Sequence, residues 1–313
     1  MPRILAGFVL VALTALGAHA ESVIPAPSDR LNEIAQNAVR SAQKQFANLN
    51  IKDDEIAVTI VDLRDPQHVT AGSYRGDAGF YPASVVKLFY LAAAEQWLEE
   101  GKLQDTPELE RALFDMIVTS NNAACQYVLD VLTVPNGQEL PPAEMEKWVY
   151  ARNAVNRYFA SMGYTNINTN QKTYVDNFYG LDKVFNNGPN KNKLTSSAAA
   201  RLMTEIALHK IVTAARCDHM LKFLHRDPTT KPTNNPDDQN ISFSAKALSP
   251  GDQLWSKAGW TNTSRHDVAY IQTTDGLKLV LTIFTTNHGN HRQIIPAIAK
   301  EVLQEFRAST SIR

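Results

Sequence analysis

Cysteine is nearly absent from this chain, with 2 in 313 residues. So few exclude a disulfide scaffold and a cysteine-rich zinc module. An excess of one charge is missing too: 31 Lys and Arg stand against 32 Asp and Glu, a formal net charge of -1. No dense basic run occurs, so the electrostatic footprint of a nucleic-acid binder is lacking. Beyond the N-terminus no stretch is apolar enough to cross a membrane, and no internal repeat recurs. What remains is 44% hydrophobic and 20% charged residues, enough to bury a sizeable core in one large domain or two interleaved lobes.

The N-terminus has a composition of its own. Met1-Pro2-Arg3 is positive, and Ala18-His19-Ala20 has the small-x-small form of a cleavage site. The apolar run between them, Ile4 to Gly17, is shorter than the roughly 20 residues of a spanning helix. This reads as an export signal over residues 1–20, leaving a mature chain over 21–313. No cysteine stands at the cleavage point to carry a lipid. A periplasmic or secreted protein with no membrane span after cleavage is expected. Export permits Cys125 and Cys217 to pair, but two free buried thiols fit the sequence at least as well.

Apolar residues at three- and four-residue steps from Leu31 to Phe46 predict a helix, with Ser28-Asp29 as its cap. Ile56 to Leu63 is β-branched and apolar on both faces, as a covered strand requires. After the Arg64-Asp65-Pro66 turn, His68 to Tyr74 is its expected partner. Ser84 to Leu103, Glu108 to Leu132, Ala143 to Met162, Thr195 to Ile211 and Arg216 to Phe223 are helical in pattern. Thr165 to Lys193 reads as a long ordered loop, and Asp227 to Gln239 as a polar loop. Val268 to Thr273 and Leu277 to Thr285 flank a Thr274-Asp275-Gly276 turn as a β-hairpin. Ile294 to Phe306 closes the chain as an amphipathic helix. This order predicts an α/β (α+β) architecture, with one sheet built from both chain ends, about 28–83 plus 248–313. An all-helical lobe is inserted over about 84–247, and a site is expected in the groove between the lobes.

Ser84-Val85-Val86-Lys87 puts a serine and a lysine three apart, on one helix face. A lysine there can take the serine proton if burial or nearby positive charge lowers its pKa. Phe80-Tyr81-Pro82-Ala83 forces an extended entry, so the helix can begin at Ser84 and its leading N–H groups favour negative charge. Ser41-Ala42-Gln43-Lys44 matches the same spacing but lies mid-helix, and is read as structural. Ser120-Asn121-Asn122 interrupts a helical pattern; Ser120 can relay a proton and Asn122 can hold a substrate amide. In Trp255-Ser256-Lys257-Ala258-Gly259-Trp260, Lys257 suits an anionic substrate group and Gly259 permits close backbone approach. The Trp260 N–H can join the Ser84 N–H as an oxyanion hole. Taken singly, these are a helix cap, a polar helix junction and a plain strand. His288-Gly289-Asn290-His291 has metal-like spacing but no evident third ligand.

Taken together, Ser84/Lys87, Ser120/Asn122 and Lys257-Ala258-Gly259 resemble, in order, the three motifs of the class A β-lactamase and penicillin-binding protein superfamily. The resemblance extends over roughly Leu31 to Phe306, including Arg265-His266-Asp267, and is weakest from Leu132 to Asn192. It implies a β-lactamase-like fold, with an antiparallel sheet. Four departures accompany it. Asn121 stands where the family usually has aspartate, and Ala258 where it has a hydroxyl residue. The stretch between Lys87 and Ser120 is shorter than in typical class A enzymes. The loop before Thr195 lacks the glutamate that activates the deacylating water; Asn170 to Asn177 holds one acid, Asp176, which is either the deacylation acid or a surface carboxylate.

The resemblance implies an exported serine hydrolase. Ser84 would be the nucleophile, Lys87 its base and Ser120 a proton relay, with Asn122, Lys257, Gly259 and Trp260 around the substrate. Hydrolysis of a β-lactam or related amide leads. The alternatives are a D-Ala-D-Ala peptidase or esterase of the same superfamily, and a non-catalytic sensor of peptidoglycan or antibiotic. No cofactor and no metal are implied, the partner is a small-molecule β-lactam or peptidoglycan-like substrate, and a monomer is expected.

Overall fold

Strand β2 (Ile56–Asp62) is covered on both faces along its apolar run, as its sequence predicts, and this places it inside a sheet. The computed structural model describes residues 23–138, 140–173, 180–186, 190–231 and 233–310; the segment over 1–20 read as an export signal and Asp176 lie outside them. Beside β2 run β3 (Thr70–Tyr74) and β7 (Lys278–Thr285), followed outward by β6 (Arg265–Gln272) and β5 (Gln253–Trp260). Two-residue strands, β1 (Ala26–Pro27) and β4 (His225–Arg226), finish the edges of this seven-stranded sheet. All pairs are antiparallel except the short β1–β3 pair.

One sheet face carries α1 (Asp29–Gln45) and α10 (Ile294–Thr310). The Ser28 hydroxyl caps α1 by accepting from Leu31 N at 3.3 Å. Gly72 on β3 lets α1 lie directly on the sheet, since a Cβ there would sit 2.3 Å from Asn32 N. The other face carries α2 (Val86–Glu99), α3 (Pro107–Ile117), α4 (Asn122–Leu132), α6 (Ala154–Ser161), α8 (Ser196–Ala207) and α9 (Ala214–Leu224). Helix α2 is buried nearly all round, which is why its sequence is apolar on every side. No helix among the described residues is long and apolar enough to cross a membrane. Cys125 and Cys217 are both buried and free.

Several boundaries differ from the sequence pattern. Helix α2 stops at Glu99, short of Leu103, because Gly101 turns to φ +68° and Lys102 N folds back onto Trp97 O at 2.8 Å. The expected helix over 143–162 is two helices, α5 (Pro142–Arg152) and α6. They part at Asn153, whose Oδ1 accepts from Asn156 and Asn170 at 2.9 and 2.8 Å. The expected loop over 165–193 contains a helix, α7 (Gly180–Phe185), packed on Trp148 of α5. Strand β4 brings a sheet edge out of the segment expected to be helical.

That loop is held by a compact charge quartet. Arg152 and Lys172 each bridge Asp130 and Asp182, at 3.0, 3.1, 2.7 and 2.9 Å. Two charges of each sign offset the desolvation that any one of them would suffer alone. The Asn192 side chain mimics a strand partner, accepting from Gln171 N at 3.0 Å and donating to Gln171 O at 2.8 Å. These contacts carry the loop to Thr173, at the edge of the groove.

Candidate active site

The groove is built where α2, the α3–α4 junction and β5 meet. Ser84 sits in the tight turn Ala83–Val85 that leads into α2. Ala83 before it is held at φ +48°, a conformation uncommon for a residue with a side chain. The Ser84 N–H is among the leading amides of this helix end, which lack intrahelical acceptors. Lys87, one turn on, is wholly buried.

The Lys87 ammonium points at the second motif. It donates to Ser120 O at 2.6 Å and Asn122 Oδ1 at 2.8 Å, with longer contacts to Asn121 O at 3.3 Å and Ser120 Oγ at 3.4 Å. Burial pushes the lysine pKa down to about 8. Ser120 is itself at φ +58°, and this kink aims both its carbonyl and its hydroxyl at the groove. Asn121, in the position where aspartate is usual, accepts from Ala124 N at 2.9 Å and caps α4, which either residue can do.

Lys257 reaches Ser120 Oγ from the opposite side at 3.0 Å, so one hydroxyl lies between two buried lysines. Burial, Lys87 and Arg226 all push the Lys257 pKa well below its ordinary value. On β5, Lys257 and Gly259 share the face toward the helices, whereas the Ala258 methyl packs toward α1 and α10. A Cβ on Gly259 would stand 2.7 Å from both Ser84 N and Val85 N, so any side chain would push the nucleophile turn away. The Thr261 N–H donates to Ser264 O, toward β6. Strand alternation then turns the Trp260 N–H the other way, onto the side where Gly259 meets Ser84.

Four residues of this site escaped the sequence analysis as individuals. His266, opposite Gly259 in the β5–β6 register, lies with Nε2 2.8 Å from Tyr81 O and with Nδ1 accepting from Thr285 N at 3.1 Å. Its neutral form fits both contacts, burial lowers its pKa to about 4, and it holds the approach to Ser84. Thr173 donates to Asn122 Oδ1 at 3.1 Å. Arg226, buried, ties Ile117 O to Ser256 O at 3.0 Å each. Gln239 contacts Lys257 and Ala258 from the loop predicted only as polar. Periodicity carried a signal for none of them.

Ser41 lies on α1, which packs on the face away from this groove. His288 is engaged by Glu55 at 2.9 Å, and no group of three metal-ligating side chains exists among the described residues.

The fold has close counterparts among solved structures. A β-lactamase from Sphaerobacter thermophilus superposes with a TM-score of 0.63 at 19% identity, covering 90% of this chain and 98% of that one. PBP-A superposes at 0.61 with 18% identity, over 91% and 99%. A PBP-A point mutant solved as an acyl-enzyme complex with penicillin G gives 0.62 at 18%, over 91% and 100%. The architecture is therefore the β-lactamase-like fold. A family model, the beta-lactamase enzyme family, matches residues 104–306, more than half of the chain, and the protein belongs to that family. No curated protein matches it.

Proposed function

We propose that the protein is an exported serine hydrolase that opens a β-lactam or related amide through an acyl-enzyme on Ser84. The observation that carries this reading is the convergence of Lys87 and Lys257 on the Ser120 hydroxyl, with Lys87 one helical turn past Ser84, whose N–H backs onto Gly259. Neutral Lys87 takes the Ser84 proton as the hydroxyl oxygen attacks the carbonyl carbon. The Ser84 and Trp260 N–H groups meet the developing oxyanion. Ser120 passes a proton to the leaving nitrogen, and Lys257 with Asn122 orients the substrate. Export rests on the N-terminal segment, and Edman sequencing of the mature protein should begin at Glu21; a retained Met1 overturns it.

The depressed Lys87 pKa sets the pH dependence. A base must be unprotonated, and the neutral fraction of a lysine titrating at about 8 grows as pH rises through that value. The rate of acylation by penicillin G, followed by intact mass, should climb through a limb near pH 8 and flatten above it. Lys87→Ala should slow acylation by roughly 10²–10⁴-fold and remove the limb. An unchanged limb in that variant rules out Lys87 as the base.

A second reading, a peptidase or esterase of the same superfamily, has one observation in its favour. Among the described loop residues it is Thr173, not an acid, that meets Asn122. An adduct on Ser84 that shows no steady-state release of hydrolysed drug supports this reading, and sustained release, even a slow one after a burst, supports the lactamase.

A further inference from the structure

Lys257 is wholly buried, and its hydrogen-bond partners are unusual for an ammonium because all are uncharged. It donates to Ala258 O at 2.6 Å, Ser120 Oγ at 3.0 Å and Gln239 Oε1 at 3.5 Å, and no carboxylate among the described residues is in ion-pair distance. The groups that face it are Lys87 from α2, Arg226 from β4, Asp267 from β6 and Cys125 from α4. Asp267 takes Ser244 N at 3.0 Å on the far side of the sheet. Nothing of opposite charge therefore pins the Lys257 head.

Gln239 bears on β5 and on the Lys257 head with a neutral amide. Its Oε1 accepts from Ala258 N at 2.9 Å as well as from Lys257, while its Nε2 donates to Val118 O at 3.5 Å. Val118 lies two residues before Ser120, so this one side chain spans the second and third motifs. The loop that carries it is clamped two residues earlier. Asp237 is held by Arg292 at 2.8 and 3.0 Å and by Arg265 at 2.8 Å, the Arg265 guanidinium lying over Phe243.

We propose that Gln239 is a positioning residue of this site, whose amide locks Lys257 and β5 against the Ser120 junction. It acts through Lys257 and does not touch the reacting atoms. Its neutrality is part of the function: an amide orients the ammonium without neutralising it, leaving its charge for an anionic group of the substrate. A carboxylate in its place would satisfy Lys257 internally and raise its pKa. The kinetic consequence rests on the acyl-enzyme reading above; the structural one does not.

The test uses the mature protein with ¹³C-labelled lysine, the Lys257 resonance being assigned from Lys257→Arg. Gln239→Glu should raise the Lys257 titration midpoint by one unit or more. With penicillin G as probe, Gln239→Glu should also shift the pH dependence of Ser84 acylation, and Gln239→Leu should slow acylation at least tenfold. A Lys257 midpoint in Gln239→Glu equal to that of the wild type overturns the proposal, whatever the activity. Wild-type protein that penicillin G never acylates defeats the acyl-enzyme reading instead, and leaves the titration to decide the role of Gln239.

Discussion

Replacing Ser84 with alanine should abolish covalent labelling by penicillin and by a fluorophosphonate, whereas Ser41→Ala should leave it intact. Both serines head a Ser-x-x-Lys run, so the pair separates spacing from setting. Ser84 stands at a helix lead, with Lys87 buried one turn on and Gly259 against its amide. Ser41 has none of these neighbours. A serine hydrolase that loses its nucleophile falls by on the order of 10⁶-fold, leaving only what binding and the oxyanion donors supply. Label that persists on Ser84→Ala places the nucleophile elsewhere. His266 should keep the turn in place in either variant, so equal thermal stability is expected.

The second large effect concerns the fate of the acyl-enzyme. An ester on Ser84 lasts until a base activates water on its open face. Lacking the family glutamate, the chain should lose roughly 10²–10⁴-fold in that step, about 3 to 5 kcal/mol of barrier. Acylation should then outrun deacylation. With a chromogenic cephalosporin this appears as a burst followed by a slow steady state, with the adduct caught on Ser84 by mass spectrometry. Asp176, the one acid in the stretch Asn170 to Asn177, is the candidate for that base. Should turnover be fast, Asp176→Asn converts it to burst kinetics. Fast turnover that survives Asp176→Asn refutes the expectation and assigns the water to Lys87 or another group.

Much of this protein is legible residue by residue, because the patterns involved are local. The step of three and four in α1, the two-sided apolar run of β2 and the hairpin of β6 and β7 reflect faces that each element must bury on its own. Pro82 marks the entry to the nucleophile helix, although the helix proper begins at Val86, two residues later than expected, after a tight turn that holds Ser84; the need for glycine at 259 follows from two backbones touching there. Helix α7 was missed because its one turn and a half carries too few residues to show a period. The break between α5 and α6 was missed because Asn153 ends a helix through partners elsewhere, among them Asn170.

The groove itself depends on contacts between residues far apart in the chain. Lys87 helps depress the pKa of Lys257, 170 residues away, only because α2 and β5 bring both to Ser120. Ala83 and Ser120 hold left-handed conformations that no local preference of alanine or serine favours, so packing around the groove must impose them. His266 and Gln239 look like any histidine and glutamine until strand register places one under Tyr81 and loop closure places the other on Lys257. Local patterning therefore suffices for elements that bury their own faces. Distances, strain and depressed pKa values are properties of pairs, and pairs exist only once the chain has folded.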